Sequence, residues 1–349
     1  MPAILARAGT PVQSNPADSS ILMRTPMTEL LSRTTRDPRV YVAGGHGLLA
    51  PSLRTAAVRH GCHMIGAGEP TPDPADAGAV DRVFARERPD WVIVTGGRSA
   101  GIGGNERFPA DLMADNLRAD TNVLTSAQRH GVRRLLYLAP GCIYPRQCPQ
   151  PMRPEHLLTG PLEPTSEPYA LAKLAGLTLC RALRRQHAAP FVSAIAANPF
   201  GPGDDFGADT AHVIPALIAR LHEAREANVD AVAIWGTGRA VREFIYADDL
   251  ADACLFVLAA YDAPEPINLG TADAVSIGSL AEQIRDVVGY RGRLEFDPSR
   301  PDGMPDKRLD SSALHALGWR PSTRLSAGLA ATYAWFLEST GRSVAAKRA

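Results

Sequence analysis

Tyr169 and Lys173 stand four residues apart in Glu167-Pro-Tyr-Ala-Leu-Ala-Lys173. On a helix this spacing puts both side chains on one face, so phenol and ammonium address the same space. A cation beside a phenol favours the phenolate and draws its pKa toward neutrality, which suits proton transfer at a carbonyl oxygen. YxxxK is common by chance, and its meaning here comes from a second feature upstream. Gly44-Gly-His-Gly-Leu-Leu-Ala50 follows an apolar run, Arg39-Val-Tyr-Val-Ala43, and precedes helix-like sequence to about His60. Gly44 permits a tight turn, Gly47 lets backbone approach a pyrophosphate, and the small Ala50 lets helix pack on strand. The helix amino end adds N–H groups and a positive dipole for phosphate. Gly44, Gly45, His46, Gly47, Leu48 and Leu49 are therefore expected to line a dinucleotide site. An acid ending the second strand would select a ribose 2′-hydroxyl, and an arginine a 2′-phosphate. The segment Gly66-Ala-Gly-Glu69-Pro70 has no arginine and an offset glutamate, which leaves NAD against NADP open.

These groups need a scaffold. Strands are expected at 39–43, 62–65, 91–95, 134–139 and 191–196, separated by helices to His60 and at 76–87, 110–130 and 169–187. Such alternation implies an α/β fold: a Rossmann-type, doubly wound parallel sheet with right-handed crossovers. A proline-rich stretch, 140–168, interrupts it at the carboxyl end of a central strand, where open α/β sheets bind ligands. Beyond Phe200 the alternation loosens into helices at 212–227, 247–260, 277–288 and 325–339 and strands at 231–234, 242–246, 267–269 and 293–296. This reads as a smaller C-terminal α/β lobe closing over the first. The expected division is a dinucleotide-binding domain at 39–200 and a ligand-binding lobe mainly at 201–340. A disordered tail at 1–38 and a short tail at 341–349 flank them; the first lacks the basic start and apolar run of a signal peptide.

Composition removes several classes of function. Lys plus Arg number 37 and Asp plus Glu 37, so no global field attracts nucleic acid or an anionic membrane. No segment has the apolar length of a membrane span. The five cysteines are scattered without a CxxC pair, which argues against a disulfide framework or a metal site and for a reducing cytoplasm.

With the glycine turn followed by Tyr169 and Lys173, the chain resembles the extended short-chain dehydrogenase/reductases of the NAD-dependent epimerase/dehydratase family. More narrowly it resembles the GDP-L-fucose synthase branch. The likeness is carried by Gly141-Cys-Ile-Tyr-Pro145, Leu162-Glu-Pro-Thr-Ser-Glu-Pro-Tyr169-Ala-Leu-Ala-Lys173 and Ala211-His-Val-Ile-Pro-Ala-Leu217. Ile234-Trp-Gly-Thr-Gly238, Arg242-Glu-Phe244 and Asp302-Gly-Met-Pro-Asp-Lys307 extend it over about 39–340. The resemblance implies epimerisation at C3 and C5 and NAD(P)H-dependent 4-keto reduction of a GDP-4-keto-6-deoxyhexose, with NADP(H) as the family's cofactor. It implies that Tyr169 protonates the C4 oxygen, Lys173 binds the nicotinamide ribose, and Cys142 and His212 shuttle protons at C3 and C5. It places Arg220, Trp235, Arg242, Asp302 and Lys307 on the nucleotide sugar, and Gly97, Ala139, Pro140 and Asn198 near the cofactor. It also implies a homodimer through helices 110–130 and 169–187.

Two departures stand out. The family's serine that donates to the C4 oxygen falls on Pro140, which has neither hydroxyl nor N–H, and the position after it is Gly141. Thr95-Gly-Gly-Arg98 ends in a large residue where a small one is expected, and the arginines for a 2′-phosphate are missing. The alternatives are thus a redox-neutral C3/C5 epimerase of a GDP-hexose, or a nucleotide-sugar-binding protein without turnover.

Overall fold

The structure, a computed structural model, describes residues 38–44, 47–65, 72–95, 97–207 and 210–341. Gly45, His46, Glu69 and all but Pro38 and Gly341 of the expected tails, 1–38 and 341–349, lie outside the described residues.

The first half runs β1 (Arg39–Ala43), α1 (Leu49–Arg59), β2 (His63–Ile65), α2 (Ala77–Glu87), β3 (Trp91–Val94), α3 (Ile102–Arg107), α4 (Pro109–Arg129), β4 (Arg134–Pro140), α5 (Glu167–His187) and β5 (Phe191–Ala196). The second runs β6 (Asn198–Phe200), α6 (Val213–Glu226), β7 (Ala231–Trp235), β8 (Val241–Tyr246), α7 (Ala247–Ala260), β9 (Ile267–Leu269), β10 (Ala274–Ser276), α8 (Ile277–Val288), β11 (Arg293–Asp297), β12 (Asp306–Lys307), α9 (Ser312–Ala316) and α10 (Leu325–Ser339). Every residue of β3 and β5 is buried, as strands covered by helices on both faces require. The Asp76 carboxylate caps α2 by accepting from the Ala79 amide at 2.9 Å. Pro109 and Pro168 occupy the first turns of α4 and α5, where no intrahelical N–H is needed. The prolyl start explains why α5 begins at Glu167 rather than at Tyr169.

The central sheet has six parallel strands in the order β2-β1-β3-β4-β5-β9. Winding reverses between β1 and β3, which opens a crevice beyond their carboxyl ends. Chain order and layer order part company after 200. Both α7 and β9 return to the first core, whose buried residues include Leu250, Val257, Ile267 and Leu269. The second core gathers α6, β7, α8 and α10 around Ile218, Ile234, Ile284 and Leu329. Between the cores, β8 pairs with β6, β10 and β12.

The 140–168 stretch is pinned rather than loose. Asn268 in β9 donates to the Met152 carbonyl at 2.8 Å and accepts from the Tyr144 hydroxyl at 2.7 Å. The Met152 amide donates to the Arg308 carbonyl at 2.7 Å. The segment therefore fastens the end of β4 to β9 and to the residue after β12.

Helix α5 lies close on β4 because residue 176 has no side chain. A Cβ there would stand 2.2 Å from the Tyr137 hydroxyl oxygen. Gly176→Ala is accordingly expected to lower stability by about 1–3 kcal/mol in chemical unfolding; an unchanged midpoint would show that α5 shifts off β4 freely.

Candidate active site

The expected glycine turn is strained in the way that needs glycine: Gly44 has φ 79° and Gly47 φ 98°. Leu48 gives α1 no side-chain cap, and in the first turn the Ala50 amide donates to the Gly47 carbonyl at 3.3 Å while Pro51 has no N–H. The next wall is set by Gly97, whose Cβ would fall 2.5 Å from Asn116 Oδ1. Asn116 is buried in α4 and donates to the Arg98 and Leu112 carbonyls at 2.8 and 2.7 Å, strapping the 97–98 segment to that helix. Arg98 itself turns to Asp115, 3.5 Å away, and to the ring of Phe108. The large residue thus leaves the crevice free, and the turn fits a dinucleotide.

A single cleft of about 520 Å³ continues from this crevice between the two cores. Leu49, Ala139, Pro140 and Asn198 line it from the sheet side, with Cys142, Tyr169 and Lys173. His212, Arg220, Trp235, Arg242, Asp302 and Lys307 line it from the other side. Gly44, Gly47, Leu48 and Gly97 shape the neighbouring turns without lining this cleft.

Lys173 corrects the expectation built on helix spacing. Its ammonium is completely buried and pairs with Asp120 in α4, 2.9 Å from Oδ2 and 3.2 Å from Oδ1. It also sits 4.8 Å from the centre of the Tyr137 ring, and the Tyr137 hydroxyl donates to Asp120 Oδ2 at 2.6 Å. The cation is therefore matched before Tyr169 can feel it. Tyr169 is pushed well above the ordinary phenol value, by burial first and then by Cys142 and Asp120. It is a protonated acid, not a phenolate.

Cys142 sits in a 3-10 turn, Gly141–Ile143, directly beyond β4. Burial pushes its thiol up, against the opposing pull of Lys307 and Lys173. His212 occupies the position before α6, and burial followed by Lys307 pushes its imidazole down. A protonated thiol and a neutral imidazole hold one dissociable proton between them. A single inversion at carbon needs that pairing, a base to take one proton and an acid to return one, with no net proton consumed.

In β12, Lys307 pairs in register with Arg242 of β8, so two cations enter the cleft side by side. Among the described residues Lys307 has no ion pair, and burial with Arg242 nearby lowers it to about 8 despite Cys142 and Glu243. Arg242 donates to the Asp302 carbonyl at 2.9 Å and Arg220 to the Ala233 carbonyl at 2.8 Å. Each guanidinium is thereby oriented with donors remaining. Asp302 is occupied: its carboxylate accepts from the amide and hydroxyl of Thr237 at 2.7 and 2.8 Å, closing the β7–β8 turn. The Asn198 side-chain amide donates to the Glu243 carbonyl at 2.9 Å. Trp235 is 43% exposed, with Arg300 stacked on it at 5.0 Å.

Sequence reasoning missed Asp120, Tyr137, Arg300 and Glu163, the last a buried cleft residue paired with Arg146 at 3.1 Å. Asp120 had a signal: it shares the apolar stripe of α4 with Leu112, Val123 and Leu124. An acid on a buried stripe must have a partner.

The six-stranded parallel sheet, the glycine turn at its switch point and an acid/base cleft at its carboxyl edge define a nicotinamide-type nucleotide enzyme. The NAD dependent epimerase/dehydratase family matches over residues 40–270, and the chain belongs to it. Within that family it is similar to GDP-L-fucose synthase 1 of Arabidopsis thaliana, 41% identical across 89% of this chain and 97% of that one. It is 40% identical to the GDP-L-fucose synthase of Escherichia coli, across 87% and 98%. A GDP-L-fucose synthetase from Naegleria fowleri, solved bound to NADP, superposes with a TM-score of 0.78 at 27% identity, over 88% and 97% of the two chains.

Proposed function

We propose that this chain epimerises C3 and C5 of a GDP-linked 4-keto-6-deoxyhexose and reduces its C4 ketone with NADPH. The observation that carries this reading is the meeting of Tyr169, Cys142 and His212 in one cleft at the end of β4. NADPH, which Gly44 and Gly47 would help to hold, would supply the hydride. The ketone acidifies the C–H bonds on both sides of it. Cys142 and His212 exchange protons with those carbons from opposite walls. Tyr169, protonated at rest, then gives its proton to the C4 oxygen. Arg220, Arg242 and Lys307 hold the diphosphate, for which planar forks and a point charge are suited. Trp235, covered on one face by Arg300, offers its other face to the base.

We infer further that two copies associate through α4 and α5, where Leu171 is an exposed apolar residue. The five cysteines are all free, in keeping with work in the cytoplasm. Pro140 favours a second reading, redox-neutral epimerisation, because it withholds a hydrogen-bond donor from the C4 oxygen. One such donor is worth about 10²–10³-fold in rate.

The two readings part on stoichiometry. Net reduction requires one NADPH consumed per GDP-sugar product; turnover of the sugar with constant NADPH absorbance would establish the redox-neutral alternative. Pro140→Ser is expected to raise the reduction rate by about 10²-fold while leaving the epimerisation rate within a few-fold; an unchanged reduction rate would mean that another group already fills the donor role.

Dependence on pH follows from the charged state of Lys307. Its folded value is depressed to about 8, so the ammonium is present below that pH and lost above it. The kcat/KM for the GDP-sugar should therefore fall above about pH 8, and kcat should not, because bound diphosphate keeps the lysine charged. Lys307→Met should remove that limb; a limb that survives the substitution belongs to another group.

A further inference from the structure

Among the described residues two acids line the cleft, Asp302 and Glu163. Asp302 commits its carboxylate to Thr237. Glu163 is 6% exposed and has no comparable commitment. Its Oε1 is met by the Thr165 amide and hydroxyl only at 3.5 and 3.4 Å, the outer edge of hydrogen bonding. Its Oε2 lies 3.1 Å from Arg146 Nε, but the two are not aligned for a hydrogen bond. Among the described residues no other N–H or O–H is aimed at that oxygen. A carboxylate has about four acceptor sites, and leaving them open in a buried place is costly. The open sites therefore mark a place for a ligand's donors.

Position narrows which donors these are. Glu163 stands directly before the 3-10 turn Pro164–Ser166 that leads into α5 and Tyr169. Across the cleft its charge acts on the Arg242 guanidinium, which the proposed function places on the diphosphate. The diphosphate hangs on C1 of the sugar, and the C4 oxygen goes to Tyr169. A carboxylate flanked by these two groups faces the ring edge between C1 and C4, which carries C2 and C3. A 4-keto-6-deoxyhexose has its two ring hydroxyls there. The C3 hydroxyl changes side when that carbon is inverted. The C2 hydroxyl keeps its configuration through both epimerisations and the reduction, so a fixed acceptor can hold it from the first step to the last. We propose that Glu163 accepts a hydrogen bond from the C2 hydroxyl of the GDP-linked sugar and so selects sugars that carry one. The proposal rests on the GDP-sugar reading of the cleft. A bond to a charged acceptor is stronger than one between neutral groups. A sugar lacking the hydroxyl would leave the carboxylate buried and unpaired, which is how a polar site rejects a ligand one group short.

The test compares kcat/KM for a GDP-4-keto-6-deoxyhexose and for its 2-deoxy analogue in the parent enzyme and in variants. The parent should prefer the 2-hydroxy sugar by about 10–100-fold, and Glu163→Ala by about tenfold less. Comparing enzymes cancels whatever the missing oxygen does to the sugar's own reactivity. Glu163→Gln, which keeps the shape and one neutral acceptor, should fall between them and stands in for the alanine variant if that one does not fold. Arg146→Met removes the ion pair and leaves the carboxylate, so the parent's preference should survive it; its loss there would assign the effect to loop structure and overturn the proposal. Affinity for GDP alone, which has no sugar, should not fall in either Glu163 variant, whereas a collapsed cleft would lose it. A folded Glu163→Ala or Glu163→Gln with the parent's full preference would overturn the proposal, as would a parent enzyme that takes both sugars equally. A parent that turns over neither sugar would instead overturn the GDP-sugar reading, and the proposal with it.

Discussion

The ion pair between Lys173 and Asp120 is the contact on which the site depends. It joins α5 to α4 across the top of β4, with the Tyr137 ring beneath the ammonium and the Tyr137 hydroxyl on the carboxylate. Two charges removed from water are no bargain by themselves: an apolar pair of the same size is often as stable. Loss of one partner is what costs, about 3–5 kcal/mol, because the other is left buried and uncompensated. The pair therefore fixes geometry more than it adds stability. It sets where α5 starts relative to the strand end, and hence where Tyr169 stands relative to Cys142.

The opposite wall is built by different means. His212 is delivered by the start of α6, and Lys307 by a two-residue strand in register with Arg242. Around them the polar groups face backbone: Arg242 toward the Asp302 carbonyl, Arg220 toward Ala233, Asn198 toward Glu243. Each such bond orients a side chain while leaving its remaining donors free for a ligand. The pinned 140–168 segment completes the arrangement by tying the end of β4 to β9. Titratable groups from both cores and cationic groups from the second thereby share one space.

Long periodic elements were legible in the sequence. The strands β1, β3, β4 and β5 and the helices α2, α4 and α5 fall within a residue or two of their expected bounds, since burial on both faces writes itself as unbroken apolar runs. The short elements α3, β6, β10, β12 and α9 were not, because two to six residues carry no period and owe their shape to neighbours such as β8. The return of α7 and β9 to the first sheet was hidden for the same reason: topology is a long-range property. In the site, residue types and spacing pointed to Tyr169, and the family resemblance pointed to Cys142 and His212. Their states were out of reach. Helix spacing put Lys173 beside Tyr169, but only the fold shows that Asp120, 53 residues away in sequence, claims the ammonium first. Asp302 is the reverse case: its place in the cleft was legible, and its commitment to Thr237 was not.

The proposed function divides two kinds of proton transfer within one cleft, assigning those at carbon to Cys142 and His212 and that at oxygen to Tyr169. On that reading Pro140 would weaken only the second, since it stands where the family resemblance implies a donor to the oxygen. The most direct measurement is mass spectrometry of the sugar formed from a GDP-4-keto-6-deoxyhexose and NADPH in deuterated water. The account predicts solvent deuterium at both C3 and C5 of a product reduced at C4. A reduced product carrying no solvent deuterium at either carbon would contradict it.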